Sequence, residues 1–121
     1  TEVKTIEAAV SIATQALKQT LSYVKPGITE SELAGMLDFK IRKLGAKNSF
    51  ETIVAFGPNG SRPHHQPGRK KLKQKDTILI DFGAKYKGYC SDITRCFIVG
   101  RPTAFYRKVY DSFSGKGLHL K

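Results

Sequence analysis

The order of hydrophobic patterns in this 121-residue chain predicts an α+β fold, with two helices packed on an antiparallel-rich sheet. Up to residue 44, apolar residues recur every three or four positions, which is the period of amphipathic helices. Beyond residue 50, short β-favouring runs alternate with Gly and Pro turn signals. With 40% hydrophobic residues, residues 1–121 are expected to form a single domain with a core of its own.

The two predicted helices are separated by Lys25-Pro26-Gly27, which ends the first helix because Pro and Gly disfavour its continuation. The first helix is predicted over residues 3–24. The second opens with Thr29-Glu30-Ser31-Glu32, a capping box in which the Thr and Glu side chains accept hydrogen bonds from backbone N–H groups. Its apolar stripe ends at Leu44, and Gly45 suits the position that follows a helix.

Strand and turn signals dominate the rest of the chain. Residues 50–56 are predicted as a strand, closed by a turn at residues 57–60, and the polar residues 62–75 as an extended connection. A β-hairpin is predicted over residues 77–99, with its turn in Lys85-Tyr86-Lys87-Gly88. A further helix is expected to start in residues 105–113 and to end after Tyr110 or Asp111, because two glycines follow.

The hairpin carries one aspartate on each strand, Asp81 and Asp92. If the turn is centred between Tyr86 and Lys87, these carboxylates lie directly opposite on one face, with Cβ atoms about 4.5–5.5 Å apart. Like charges so placed destabilise a hairpin unless a cation lies between them, and two-metal hydrolytic sites hold ions about 3.5–4 Å apart. The pair is therefore a candidate metal site. The residues alone leave open that each Asp is a solvent-facing or capping residue.

Cysteine use and charge narrow the class of protein. Cys90 and Cys96 lie about 20 Å apart on one strand, too far for a disulfide, so free thiols and a reducing, cytoplasmic compartment are expected. The net charge is +11, and its densest basic stretch is residues 69–75. We interpret this stretch as a solvated loop before a buried strand, since no aromatic residues are interleaved for stacking on bases, and nucleic-acid binding is not expected. Without about 18 consecutive apolar residues, no membrane span is expected either.

Six short motifs follow one another between Lys25 and Tyr110. They are Pro26-Gly27-x-Thr29-Glu30, Phe56-Gly57-Pro58-Asn59-Gly60-Ser61, Pro63-His64-His65, Ile80-Asp81-Phe82-Gly83, Gly88-Tyr89-x-Ser91-Asp92-Ile93-Thr94-Arg95 and Phe105-Tyr106-x-x-Val109-Tyr110. Together they resemble the amino-terminal half of the pita-bread metallopeptidase domain. That family contains methionine aminopeptidase, creatinase, prolidase and Xaa-Pro aminopeptidase. The motifs around the two aspartates are closest to the Xaa-Pro dipeptidase and aminopeptidase branch.

The resemblance implies roles for four residues. Asp81 would bind one metal ion through both oxygens, and Asp92 would bridge two ions. His64 would contact substrate and stabilise the tetrahedral intermediate, and His65 is a second candidate for substrate binding. The implied cofactors are two divalent ions, manganese or cobalt. The implied reaction is hydrolysis of the bond before a proline at the second position of a peptide, by a metal-bridged hydroxide.

The chain departs from the family pattern after Asp92. The family uses five metal ligands, and its later His and two Glu have no matching motif here. We therefore expect a truncated catalytic domain, without the family's second half or separate N-terminal domain, with weak or no metal binding and negligible activity alone. Pairing of two copies to cover the exposed half of the fold is a further expectation. The alternative function is a non-catalytic pita-bread-type module that binds nucleic acid or an acidic protein partner.

Overall fold

The structure is a computed structural model that describes residues 2–62, 64–98, 110–111 and 118–120. In these ranges there are two α-helices, a 3-10 helix and seven strands. The helices are α1 (Glu2–Leu21), α2 (Glu30–Lys43) and the 3-10 helix (Gly57–Ser61). The strands are β1 (Lys47–Asn48), β2 (Ile53–Phe56), β3 (Thr77–Phe82), β4 (Ala84–Tyr86), β5 (Tyr89–Ile98), β6 (Tyr110–Asp111) and β7 (Leu118–Leu120). The predicted α+β class, two helices on an antiparallel sheet, is confirmed.

Helix α1 packs through small residues. Ala9, Ala13 and Ala16 have no exposed surface, so this side of the helix can approach its neighbours closely. The helix ends three residues before the predicted boundary. There the N–H groups of Tyr23 and Val24 bond to carbonyls three positions back, which tightens the last turn ahead of the Pro-Gly break.

Helix α2 has the predicted signals at both ends. The Thr29 Oγ1 atom accepts the N–H of Glu32 at 3.0 Å, and the Glu32 Oε1 atom accepts the N–H of Thr29 at 2.9 Å, which completes the capping box. At the other end, Gly45 has a φ of +96°. The N–H of Ala46 then reaches the carbonyl of Ile41 at 3.1 Å, as in a Schellman motif.

The sheet is antiparallel throughout, and its main path has the order β1-β4-β5-β3-β2. Strands β3 and β4 are interrupted at Gly83 and pair in succession with β5. Strands β6 and β7 also pair with β5. Strand β5 is therefore the centre of the sheet. Among the helices and strands that the structure describes, no helix is both long and apolar enough to cross a bilayer.

The predicted hairpin is present, but its predicted register is wrong by two residues. The turn consists of Lys87 and Gly88, with φ values of +51° and +86°, as a two-residue type I′ turn requires. Asp81 therefore pairs with Thr94 and not with Asp92. Because side chains alternate with a period of two, a shift of two residues keeps both aspartates on one face. They are diagonal neighbours, for which about 7–8 Å is typical.

The two faces of the sheet have different tasks. One face is apolar and packs with α1 and α2 in a single core, through residues that include Phe56, Ile78, Phe82, Ile93 and Phe97. The register puts Asp81, Thr94 and Asp92 on the other face, which we call the acidic face. Cys90 and Cys96 share this face, and both are free thiols as predicted.

Three local predictions differ from the structure. The strand predicted from residue 50 begins only at Ile53, and the turn after it is a 3-10 helix that continues to Ser61. Tyr110 and Asp111, predicted near the end of a helix, form β6 instead. The backbone of β5 offers hydrogen bonds along that edge, and these outweigh the helical preference. The other residues of the helix predicted at 105–113 lie outside the described residues.

Substitution of Gly83 by Ala tests the close contact at the break between β3 and β4. A Cβ atom there would overlap the carbonyl oxygen of Ser91 and the Oγ atom of Ser49. We expect Gly83→Ala to lower the free energy of unfolding by about 1–3 kcal/mol, measured by urea denaturation. The control is Gly35→Ala in α2, where a Cβ meets nothing within 4 Å. That change should stabilise by about 0.5–1 kcal/mol, and equal stability of the two variants would contradict the prediction.

Candidate active site

The acidic face presents two carboxylates on neighbouring positions of the β3–β5 pair. Asp81 and Asp92 are both half-buried, and the Oδ1 atom of Asp92 is shielded from solvent. The hydroxyl of Thr94, which is cross-strand from Asp81, donates to the Asp81 Oδ1 atom at 3.1 Å. This hydrogen bond fixes the orientation of one carboxylate relative to the sheet. Such hard oxygen donors suit divalent cations.

A cavity of about 190 Å³ lies beside this face. Its position follows from Ile53, which is the cross-strand partner of Asp81 on β2 and also lines the cavity. The structure therefore brings the two predicted histidines to the edge of the acidic face. His64 is exposed and has a φ of +56°, whereas the side chain of His65 is only 13% exposed. The cavity is lined by Glu51, Thr52, Ile53, His64, His65, Gln66 and Pro67.

Asp81 and Asp92 by themselves would supply only part of a metal site. Within residues 2–62 and 64–98, no three His, Cys, Asp or Glu side chains converge where they could hold a metal ion. Ions such as Mn²⁺ prefer about six ligands, mostly oxygen. Asp81 and Asp92 fit this donor type, so the other ligands would have to come from outside residues 2–62 and 64–98.

Next to the cavity, the side chain of Glu30 at the start of α2 makes four hydrogen bonds. Glu30 has no exposed surface. Its Oε2 atom accepts hydrogen bonds from the N–H of Phe56 at 2.7 Å and from the Asn59 amide at 2.9 Å. Its Oε1 atom lies 2.9 Å from the Nε2 atom of His65 and accepts the N–H of Gly68 at 3.1 Å. A buried carboxylate is stable only when it is paired in this way.

The protonation state of Glu30 follows from two opposing effects. Burial by itself raises the pKa of its carboxyl group, because the charged form loses solvation. The hydrogen bonds from Asn59, Phe56, His65 and Gly68 favour the charged form, and together they bring the pKa below its ordinary value. Glu30 is therefore an anion at neutral pH.

A second group of polar side chains supports the cavity lining at Thr52. Thr52 is buried, and its hydroxyl donates to the Asp38 Oδ1 atom at 2.6 Å. The amide of Asn48 donates to the same Asp38 atom at 2.9 Å and lies 3.1 Å from the Thr52 hydroxyl. These bonds connect Thr52 to α2, so the helix is bonded to the cavity lining at Thr52 as well as at His65.

The basic stretch at residues 69–75 is attached to the start of α2. Leu72 is buried in the core. Its carbonyl accepts the N–H of Gly27 at 2.8 Å, and its N–H donates to the carbonyl of Ile28 at 2.7 Å. Lys71 forms a β-bridge with Thr29. The backbone of this stretch therefore has a structural task, which supports its interpretation as a loop that leads into β3.

Sequence reasoning did not identify Glu30 as part of the site. A glutamate in the first turn of a helix is favoured by the helix dipole alone, so neither its burial nor its partners could be predicted from the capping box. The one available signal was its place in the motif Pro26-Gly27-x-Thr29-Glu30. His65 was predicted to bind substrate, and the structure pairs it with Glu30.

Sequence and structure comparisons agree on the relatives of this chain. The profile of metallopeptidase family M24 matches residues 4–114. An uncharacterized peptidase of Bacillus subtilis, YqhT, is 44% identical over 99% of this chain and 35% of its own length. The crystal structure of an X-Pro aminopeptidase from Thermotoga maritima is 40% identical with a TM-score of 0.77, over 84% of this chain and 29% of that one. An Xaa-Pro dipeptidase from Bacillus anthracis is 42% identical with a TM-score of 0.79, over 88% of this chain and 30% of that one. The chain thus spans about a third of the length of these relatives.

The pKa of Glu30 predicts how stability changes in acid. Since the folded state holds this pKa below its ordinary value of 4.5, the unfolded chain binds more protons as the pH falls. The stabilisation is fully present above the unfolded pKa and is lost as the pH falls through the folded pKa. We expect Glu30→Gln to be less stable than the parent by about 1.5–3 kcal/mol near neutral pH. In the acid limb, which is the part of the curve of unfolding free energy against pH where stability falls in acid, this variant should lose stability less steeply than the parent.

Urea midpoints measured at a series of pH values check this prediction. Glu7→Gln, at an exposed position of α1, is the control and should keep the acid limb of the parent protein. An unchanged acid limb in Glu30→Gln would show that protonation of Glu30 does not cause the loss of stability in acid.

Proposed function

Because the chain belongs to metallopeptidase family M24, we propose that it supplies Asp81, Asp92 and His64 to the active site of a metal-dependent Xaa-Pro exopeptidase. The observation that carries this proposal is that the cavity with His64 adjoins the face that bears both aspartates. The substrate class comes from two relatives, named X-Pro aminopeptidase and Xaa-Pro dipeptidase. It is a peptide with proline at the second position.

The proposed cofactors are two divalent ions, with manganese or cobalt favoured by the carboxylate donors. When bound, such ions lower the pKa of water and polarise the peptide carbonyl. Asp81 and Asp92 would hold them from the acidic face, and the hydroxyl of Thr94 would keep the Asp81 carboxylate oriented.

The histidines contact the peptide substrate and not the metal ions. In this proposal the exposed imidazole of His64 donates a hydrogen bond to an oxygen on which negative charge develops during amide hydrolysis. Ile53 and Thr52 form a wall that removes water from one side of the substrate. His65 is held from behind by Glu30, so it supports the cavity as well as lining it.

We also propose that these 121 residues alone have negligible peptidase activity, because two carboxylates leave an ion mostly hydrated and weakly held. The pairing of two copies expected from the sequence stays a prediction, and light scattering that shows a monomer at high concentration would count against it. Free thiols at Cys90 and Cys96 support a reducing, cytoplasmic compartment.

The alternative function is a binding module for nucleic acid or an acidic protein. The net charge of +11 favours it, and Lys71 and Lys73 are exposed. A pure binding module does not need two aspartates and a histidine cavity side by side, so we favour the peptidase. Retention on nucleic acid that falls with salt and disappears when Lys70, Lys71 and Lys73 are replaced by Gln would favour the alternative.

A chimaera tests the proposed reaction. Residues 4–98 of this chain would replace the matching segment of the Bacillus anthracis Xaa-Pro dipeptidase, which is 42% identical. With Mn²⁺ we expect hydrolysis of Xaa-Pro dipeptides. Asp81→Asn and Asp92→Asn should each lower kcat/KM by more than about 100-fold, since loss of a residue that only hydrogen-bonds to a metal ligand already costs about 10–100-fold. Asp76→Asn, in the turn before β3, is the matched control. A folded chimaera without turnover would contradict the Xaa-Pro assignment.

Metal content gives an independent test on the same chimaera. We expect the parent chimaera to retain two Mn²⁺ ions per molecule after dialysis, and Asp81→Asn and Asp92→Asn to retain fewer, because each loses a charged oxygen ligand. Elemental analysis measures the content. Asp76→Asn should match the parent. Full Mn²⁺ content in both Asp81→Asn and Asp92→Asn would exclude these aspartates as ligands.

A further inference from the structure

We propose that Glu30 is a positioning residue that acts through His65: it fixes the tautomer of the His65 ring and holds the histidine loop, residues 64–68, against α2. The contacts of Glu30 reach three separate parts of the chain, namely the end of β2, the 3-10 helix and this loop. Its bearing on catalysis rests on the proposed function. The tautomer and the order of the loop can be measured without any activity.

The tautomer follows from the chemistry of the two partners. An ionised carboxylate has lone pairs but no proton, so it can only accept hydrogen bonds. The Nε2 atom of His65 lies 2.9 Å from the Glu30 Oε1 atom, and it must therefore carry the hydrogen. In the neutral ring the Nδ1 atom is then unprotonated and is an acceptor.

The same carboxylate oxygen also holds the far end of the loop. The Glu30 Oε1 atom accepts the N–H of Gly68, and the carbonyl of Gly68 accepts the N–H of Ser31 at 3.0 Å. The loop is thus bonded to the start of α2 at His65 and at Gly68. His64 directly precedes His65 and has a φ of +56°. A non-glycine residue keeps this conformation only where its surroundings hold it.

The consequence for the cavity concerns the second nitrogen of His65. The ring lines the cavity, and its Nε2 atom is engaged by Glu30. The Nδ1 atom is thereby left as a fixed acceptor for an N–H or O–H group of a ligand. Without the carboxylate, the ring could exchange the two tautomers, and His64 would lose the neighbour that holds its backbone.

Nitrogen NMR of the protein labelled with ¹⁵N-histidine tests the tautomer directly. For the neutral ring, we expect the His65 resonances to be those of an Nε2-protonated imidazole, assigned by their loss in His65→Gln. In Glu30→Gln the amide can donate as well as accept, so we expect a mixture of tautomers or a change to the Nδ1-protonated form. An Nδ1-protonated ring in the parent protein would overturn the proposal without any variant.

The matched control is Glu32→Gln, two residues away in the same helix. Gln replaces Glu equally well in a capping box, so this variant should keep both the cap and the parent His65 tautomer. Limited trypsin digestion is the second readout, since the Arg69–Lys70 bond directly follows the loop. We expect cleavage at this bond to be at least tenfold faster in Glu30→Gln than in the parent or in Glu32→Gln.

The outcomes separate this proposal from the proposed function. If Glu30→Gln keeps the parent tautomer and the parent cleavage rate, the positioning role is wrong, whatever the chimaera does. If both readouts change as expected while the chimaera has no turnover, the positioning role holds and the peptidase assignment fails. In an active chimaera, Glu30→Gln should lower kcat more than it changes KM, and Glu30→Asp should restore part of the loss.

Discussion

The structure depends on one buried carboxylate, that of Glu30. Its four hydrogen bonds connect the start of α2 to the end of β2, to the 3-10 helix and to the loop with the two histidines. A charge without solvent exposure is costly unless its lone pairs are filled, so these segments cannot separate without leaving it uncompensated. Helix, sheet and cavity are therefore held in one arrangement by a single group.

The sheet provides the second constraint, because its two faces do different work. Strand β5 packs Ile93 and Phe97 into the core and carries Asp92 and Thr94 on the acidic face. The period of two makes this division robust: a register shift of two residues leaves every side chain on its face, whereas a shift of one would turn over the shifted strand and move its aspartate to the core side. Core stability thus holds the carboxylates on the correct side of the sheet.

Local signals predicted local structure well. The capping box at Thr29 and the glycine at position 45 placed both ends of α2, because each signal acts within one turn. The hairpin was predicted but not its register. A type I′ turn needs positive φ at both Lys87 and Gly88. Lysine does not favour positive φ, so the sequence marked only Gly88, and one glycine could not locate the centre of the turn.

The sequence by itself determined the fold class, the helices α1 and α2, the caps of α2, the family resemblance and the shared face of Asp81 and Asp92. These depend on periodicity and on neighbours within a few positions. Only the tertiary structure decided that Glu30 is buried, that His65 is its partner and that the histidine cavity adjoins the acidic face at Ile53. The bonds of Glu30 join residues 26 to 38 positions apart, and contacts at that separation exist only once the core has formed.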